Sequence, residues 1–160
     1  APIWLIMRKI CLIVLLFGLN SMPARGDIAT GLAAYDGGDY VQALAEWHPL
    51  AKAGDPDAQT ALAGLYFQGL GVQRNPTAAA DWYHKAACQG AAIAQLNLGD
   101  QYARGEGVRQ NFTVALAWLN LAAQSGHTWA ARRRDEIAQG LSNRRRNYGP
   151  SSIMTLCNEN

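Results

Sequence analysis

The chain repeats itself at a spacing of 36 residues. Ala58-Gln59, Leu62-Ala63, Tyr66, Gly69, Gly71-Val72, Asn75, Trp82, Ala86-Ala87 and Gly90 form one row. Ala94-Gln95, Leu98-Gly99, Tyr102, Gly105, Gly107-Val108, Asn111, Trp118, Ala122-Ala123 and Gly126 form the next, each member 36 positions on. A period in this range belongs to stacked architectures, in which a unit cannot bury its apolar face alone and does so against its neighbours. Such a chain offers a shared curved surface rather than a central pocket, which turns the functional question toward binding.

Each unit reads as two helices. Ala58, Leu62 and Tyr66 recur at four-residue steps and share one helical face, which predicts a first helix over Pro56 to Gln68 and a copy over Ala92 to Arg104. Ala63 and Gly99 are small enough to let a neighbouring helix come close. The glycines of 69–72 and 105–108 break the helix and supply the positive φ of a helix end and a reversing loop. Asn75-Pro76 restarts it, with asparagine as N-cap and proline in the first turn, and Asn111 serves the next unit. Second helices are predicted over Pro76–Gln89 and Phe112–Ser125, with Trp82, Ala86, Trp118 and Ala122 facing inward and Gly90 and Gly126 at the C-terminal caps.

A degenerate unit precedes these two. Ala43, Trp47, Ala51, Gly54 and Ala58 match Ala79, Tyr83, Ala87, Gly90 and Ala94 at the same spacing, after a shorter turn at Asp36-Gly37-Gly38-Asp39. Asp39 is placed to cap the helix from Tyr40, and Asp55-Pro56 repeats the logic of cap followed by proline. A last helix over about Thr128 to Gln139 takes the first-helix position, and its polar residues Arg132, Arg133, Arg134, Asp135 and Glu136 suit a terminal cap with one solvated face.

The pattern Ala-Gln, Leu-Ala, Tyr, Gly-x-Gly-Val, Ala-Ala, Gly resembles the Sel-one-like repeat, a branch of the tetratricopeptide superfamily, over roughly Ile28 to Gln139. The resemblance implies an all-α, right-handed solenoid of antiparallel helix pairs, about three units with a C-terminal capping helix. It further implies a non-enzymatic adaptor that holds a protein or peptide on its concave face, lined by the first helices. Gly64 and Asp100 differ at a matched position, and the first unit lacks the Gly-x-Gly-Val loop. Some relatives carry a regular cysteine pair in each repeat. This chain does not, which weakens a reading as an enzyme of that type acting on cell-wall or β-lactam-like ligands.

Met7-Arg8-Lys9 followed by the apolar stretch Ile10 to Leu19, and then Pro23-Ala24-Arg25-Gly26, reads as a secretory signal over residues 7–26, cut after Gly26. The stretch is shorter than the roughly 20 residues of a membrane span, so no stable span is expected after cleavage. The expected compartment is the periplasm or the cell exterior. Residues Ala1 to Ile6 precede the first methionine and are set aside. The expected organisation is then a repeat domain over 27–140 and an irregular tail over 141–160. With Arg8, Lys9 and Arg25 removed, the +2 formal charge of the chain falls to near neutrality. The repeat body is mildly acidic and the C-terminal end basic, through Arg132–Arg134 and Arg144–Arg146. An acidic body and an export signal argue against a nucleic-acid-binding repeat, although Arg144–Arg146 could touch an acidic partner. Cys88 and Cys157 could pair in an oxidising compartment, or Cys88 could be a small packing residue.

The residues offer little for chemistry. His48 and His84 are 36 apart, at matching positions of second helices, with no cysteine cluster or local ligand spacing beside them, so no metal is expected. His127 reads as the residue leading into the last helix. No nucleophile elbow, phosphate loop or carboxylate pair stands out, and no cofactor is expected. A partner is instead expected on a stripe of the first helices: Asp57, Thr60, Phe67 and Gln68, then Ile93, Leu96, Asp100 and Arg104, then Trp129, Arg132 and Glu136. Phe67, Leu96 and Trp129 are its expected anchors, since aromatic residues and arginine carry much of the energy at interfaces.

Overall fold

The computed structural model describes residues 26–141, which fold into seven helices. These are α1 (Ile28–Asp36), α2 (Tyr40–Lys52), α3 (Pro56–Gln68), α4 (Pro76–Cys88), α5 (Ala92–Arg104), α6 (Phe112–Gln124) and α7 (Thr128–Gly140). No strand occurs among the described residues. The closest backbone approaches join helices consecutive in the chain, so the fold is a run of helix pairs, α1–α2, α3–α4 and α5–α6, ended by α7. The expected first helices Pro56–Gln68 and Ala92–Arg104 match residue for residue, the second helices end one residue earlier than expected, and the last helix ends one residue later, at Gly140. Most of the expected signal (7–26) and tail (141–160), with Cys11, Cys157 and Arg144–Arg146, lies outside the described residues.

The helix boundaries follow from their caps. The side chains of Asp27, Asp39, Asp55, Asn75 and Asn111 accept backbone N–H groups from the first turns of α1, α2, α3, α4 and α6. The hydrogen bonds that Asp27 accepts from the Thr30 hydroxyl and the Thr30 and Ala29 amides hold its carboxyl below the usual carboxylate range. Gly69 and Gly105 close α3 and α5 in the left-handed conformation, at φ 76° and 72°.

Gly71 and Gly107 do something different. At each, φ is also positive, and a Cβ would collide with the backbone at the start of the preceding second helix: Tyr40 and Val41 for Gly71, Pro76 and Thr77 for Gly107. Each loop therefore rests on the unit before it. Gln101 Nε2 strengthens this seat by donating to the Pro76 and Glu106 carbonyl oxygens at 2.9 and 3.1 Å.

The core runs along the stack in three clusters. One is built on Ala43, Trp47, Leu62 and Leu65, one on Ala63, Ala79, Ala94, Leu98 and Trp118, and one on Leu96, Ala115, Leu119 and Ile137. Alanines dominate, which permits close helix approach. At Gly99 the contact is tighter still, because a Cβ would lie 2.8 Å from Leu119 Cγ. Tyr66 and Trp82 pack against both the first and second clusters, and Tyr102 against both the second and third. The repeated tyrosines are thus joints between units rather than fully enclosed core. Trp82 is half-buried with the Lys85 ammonium 4.3 Å from its ring centroid, whereas Trp118 is buried.

The Ala-Gln signature is a hydrogen bond. Gln59 Nε2 donates to the Ala51 carbonyl oxygen and Gln95 Nε2 to that of Ala87, both at 3.1 Å and both buried. Each adds a second donor to a carbonyl of the last turn of the preceding helix, which also accepts from the backbone N–H of Gly54 or Gly90 in the turn that follows.

Candidate functional site

The first helices α1, α3 and α5 enclose a groove of about 270 Å³. Helix α3 forms its floor through Ala61 and Gly64, flanked by Asp57, Thr60 and Gln68. Ile28, Leu32 and Tyr35 of α1 make one wall, backed by Trp47, and Ile93 and Asn97 of α5 make the other. Its surface is mainly apolar. Leu32 is 52% exposed and Ile93 56%, values at which a large aliphatic side chain contributes little to the fold. Trp129, 47% exposed, occupies on α7 the position that Ile93 has on α5 and Asp57 on α3. Val41, at the start of α2, is the remaining exposed large apolar side chain among the described residues.

The expected stripe is only partly a surface. Asp57, Thr60, Gln68 and Ile93 line the groove. Leu96 does not: it is 8% exposed, in the cluster between α5, α6 and α7, and is a core residue. Phe67 is half-buried against the second cluster with the Arg74 guanidinium 5.5 Å from its ring centroid. The reason is angular. With 3.6 residues per turn, positions 57, 61, 64 and 68 line up along one edge, whereas 60 and 67 rotate toward the next first helix. On α5 the corresponding Leu96 and Ala103 pack under α7. Ala61, Asn97 and Arg133 belong on the stripe, one residue round from the positions expected, and heptad spacing from Asp57 and Gly64 was the signal for them.

Farther along this face, charges replace the groove. Asp100 accepts from Arg104 Nε at 2.7 Å and from Arg133 Nε at 2.9 Å, and Arg133 also reaches Glu136 at 3.2 Å. Burial works against the Arg133 guanidinium, but its hydrogen bonds to Asp100 and Glu136 outweigh this and raise its pKa. Asp100, Arg104 and Glu136 are therefore brought together, by Arg133. Arg132 stands exposed beside them. The expectation of a wholly solvated Arg132–Arg134 is corrected for two of the three. Arg133 ties α7 to α5, and Arg134 donates to Asn120 Oδ1 of α6 at 3.2 Å.

Tyr83, beneath the groove floor, has its hydroxyl 3.7 Å from where a Gly64 Cβ would stand. Burial first, and then the nearby Tyr35, push its phenol up to about 12. A second hollow at the α5–α6 loop is bordered by Gln110 and Asn111, whose side chains are already engaged by Ala103 and by the start of α6.

The histidines show no ligand geometry. The His84 ring stacks edge-on against Trp118 at 6.0 Å, and His127 precedes α7. Among the described residues no three of His, Cys, Asp and Glu cluster as a metal site, and no helix is long and apolar enough to cross a membrane. Cys88 is disulfide-bonded, and the other cysteines of the chain, Cys11 and Cys157, lie outside the described residues.

Comparison with known proteins places this architecture. The family model of the Sel1 repeat matches residues 56–90 and 92–127. A crystal structure of a Sel1 repeat protein from Oxalobacter formigenes is similar at 32% identity and a TM-score of 0.70, over 82% of this chain and 54% of that one. The structure of c5321, described as a protective antigen present in uropathogenic Escherichia coli strains and displaying an SLR fold, is similar at 30% identity and a TM-score of 0.68, over 80% of this chain and 28% of that one. The chain thus spans about half the first relative and less of the second. No curated protein sequence matches it. Two matched units, the loop-on-helix interlock they share and the likeness to solved solenoids lead to one assignment: the chain belongs to the Sel1-like repeat family of tetratricopeptide-like solenoids.

Proposed function

We propose that the chain is a non-catalytic adaptor that captures a segment of a partner protein on the face formed by α1, α3, α5 and α7. We propose further that it acts after export, in the periplasm or outside the cell, in a regulatory or envelope-associated role. Sel1 repeats generally mediate protein–protein interaction, and the family is generally a scaffold. The observation that carries the reading for this chain is the groove between Leu32 and Ile93, where two exposed aliphatic side chains face an open floor. Contiguous exposed apolar surface of this kind marks interaction sites.

Support for export comes from the leader pattern and from Asp27. Its amide donates to Glu46 Oε2 at 3.2 Å. A cut after Gly26 would turn that amide into an ammonium facing a carboxylate. The likeness to a protective antigen fits the same compartment.

The test is affinity capture from an envelope fraction with the full chain as bait, beside the Leu32→Asp and Ile93→Asp variants. The partner is lost from both variants while their melting temperatures stay within about 3 °C of the parent. Retention of the same partner by both variants would refute the assignment of this face.

A further inference from the structure

The groove contains three polar side chains, Asn97, Gln68 and Asp57, that make no side-chain hydrogen bond or ion pair among the described residues. Asn97 and Gln68 each carry donors and an acceptor. Asp57 sits at the start of α3, exposed, with no basic side chain paired to it. The nearby Asp100, by comparison, holds two arginines.

Gly64 adds an independent sign. It lies in the middle of α3, where glycine weakens a helix. The fold does not require it, since a Cβ there would meet nothing nearer than the Tyr83 hydroxyl at 3.7 Å and the Gln68 amide at 4.0 Å. Gly99, in contrast, is forced by Leu119. What the missing side chain of Gly64 does is keep the groove floor open.

The geometry points to one occupant: an extended segment of a partner protein with an apolar side chain on the Gly64 floor between Leu32 and Ile93, and a lysine or arginine beside it on Asp57. This rests on the reading of the first-helix face as the capture surface. A helical ligand has already spent its backbone groups within itself. An extended chain presents free N–H and C=O groups, which Asn97 and Gln68 can pair. At about 270 Å³ the groove falls below the roughly 300–1,000 Å³ of small-molecule pockets. It therefore fits one or two side chains of a polypeptide better than a free metabolite. The charge of Asp57 sets the sign of the flanking residue.

The experiment uses the full chain and a phage-displayed library of random seven-residue peptides. Peptides enriched on the parent carry an apolar residue close to a lysine or arginine. Their affinity falls about tenfold or more on Gly64→Leu, which fills the floor, and on Ile93→Asp, a change outside the core. Gly64→Ala serves as the folding control, and library selection on Asp57→Lys replaces the basic residue by an acidic one. Three results would overturn the inference: no enrichment on the parent, no basic preference, or equal binding to the parent and both blocking variants. Peptides indifferent to Gly64→Leu but lost on Trp129→Ala would leave capture by this face standing and remove only the groove assignment. Peptides indifferent to all of these changes would remove both.

Discussion

The Nε2 of Gln95 donates to the Ala87 carbonyl oxygen at 3.1 Å across the junction between two units. The matching bond of Gln59 to Ala51 has an additional support, because Gln59 Oε1 accepts from Gln89 Nε2 at 2.8 Å. Gln95 Oε1 has no such partner. Truncation at either position removes a buried hydrogen bond, at about 0.5–1.5 kcal/mol, while the carbonyl keeps the backbone N–H of Gly54 or Gly90. Gln59→Ala is expected to cost more than Gln95→Ala, as measured by urea denaturation of the two variants beside the parent.

The glycines divide into those the fold needs and one it does not. Gly107→Ala combines a left-handed φ of 76° with a collision against Pro76, and loses at least about 2 kcal/mol. Gly64→Ala meets only ordinary van der Waals contacts, with Tyr83 and Gln68, in a helix and gains about 0.5–1 kcal/mol. Thermal melts of the pair should move in opposite directions. A fall in both would show that Gly64 has a packing role.

Alkaline pH should unfold the chain through Tyr83. Its folded pKa is about 12 against an ordinary 10. The folded state therefore keeps a proton that the unfolded state loses, so the stabilisation is complete below pH 10 and disappears as pH rises toward 12. The loss amounts to about 2–3 kcal/mol. Tyr83→Phe has no proton to lose there, and its stability should stay flatter over the same range in a pH series of urea melts.

Asp100 fastens the capping helix. Asp100→Ala leaves Arg133 with Glu136 alone and loosens α7 from α5, at about 1 kcal/mol for a partly exposed pair. Hydrogen exchange in α7 should rise while exchange in α3 and α4 holds, and 0.5 M salt should narrow the difference between variant and parent.

Export makes a separate prediction. Expression with a C-terminal tag should yield a chain beginning at Asp27. Intact Met7 on exported, soluble protein would refute the cut after Gly26.

Most of the fold was legible because the repeat reports itself twice. Cap followed by proline at Asp55-Pro56 and Asn75-Pro76 and glycine at Gly69 and Gly105 marked helix ends locally, with little help from distant contacts. The site was harder to read, for a physical reason. Leu96 and Thr60 occupy the same repeat position, but Leu96 is buried under α7 while Thr60 is only part-buried and lines the groove beside α5, so periodicity alone does not rank burial. Arg133 and Arg132 differ by one residue, and only the position of Asp100 on the neighbouring helix decides which of them is engaged. Asn97 and Gly64 gave no signal as residue types, and they acquire meaning only once α1 and α5 are seen as opposite walls.

The seating of Gly71 and Gly107 has a direction. Each reaches backward, toward the N-terminal neighbour, and none reaches forward. At this seat, shortening the stack from its C-terminal end uncovers a helix start that water can solvate. Shortening it from the N-terminal end strips a left-handed loop of the surface it was shaped against. A chain emerging from the ribosome always has the earlier unit in place before the later loop needs it, so assembly can proceed by accretion in the order of synthesis.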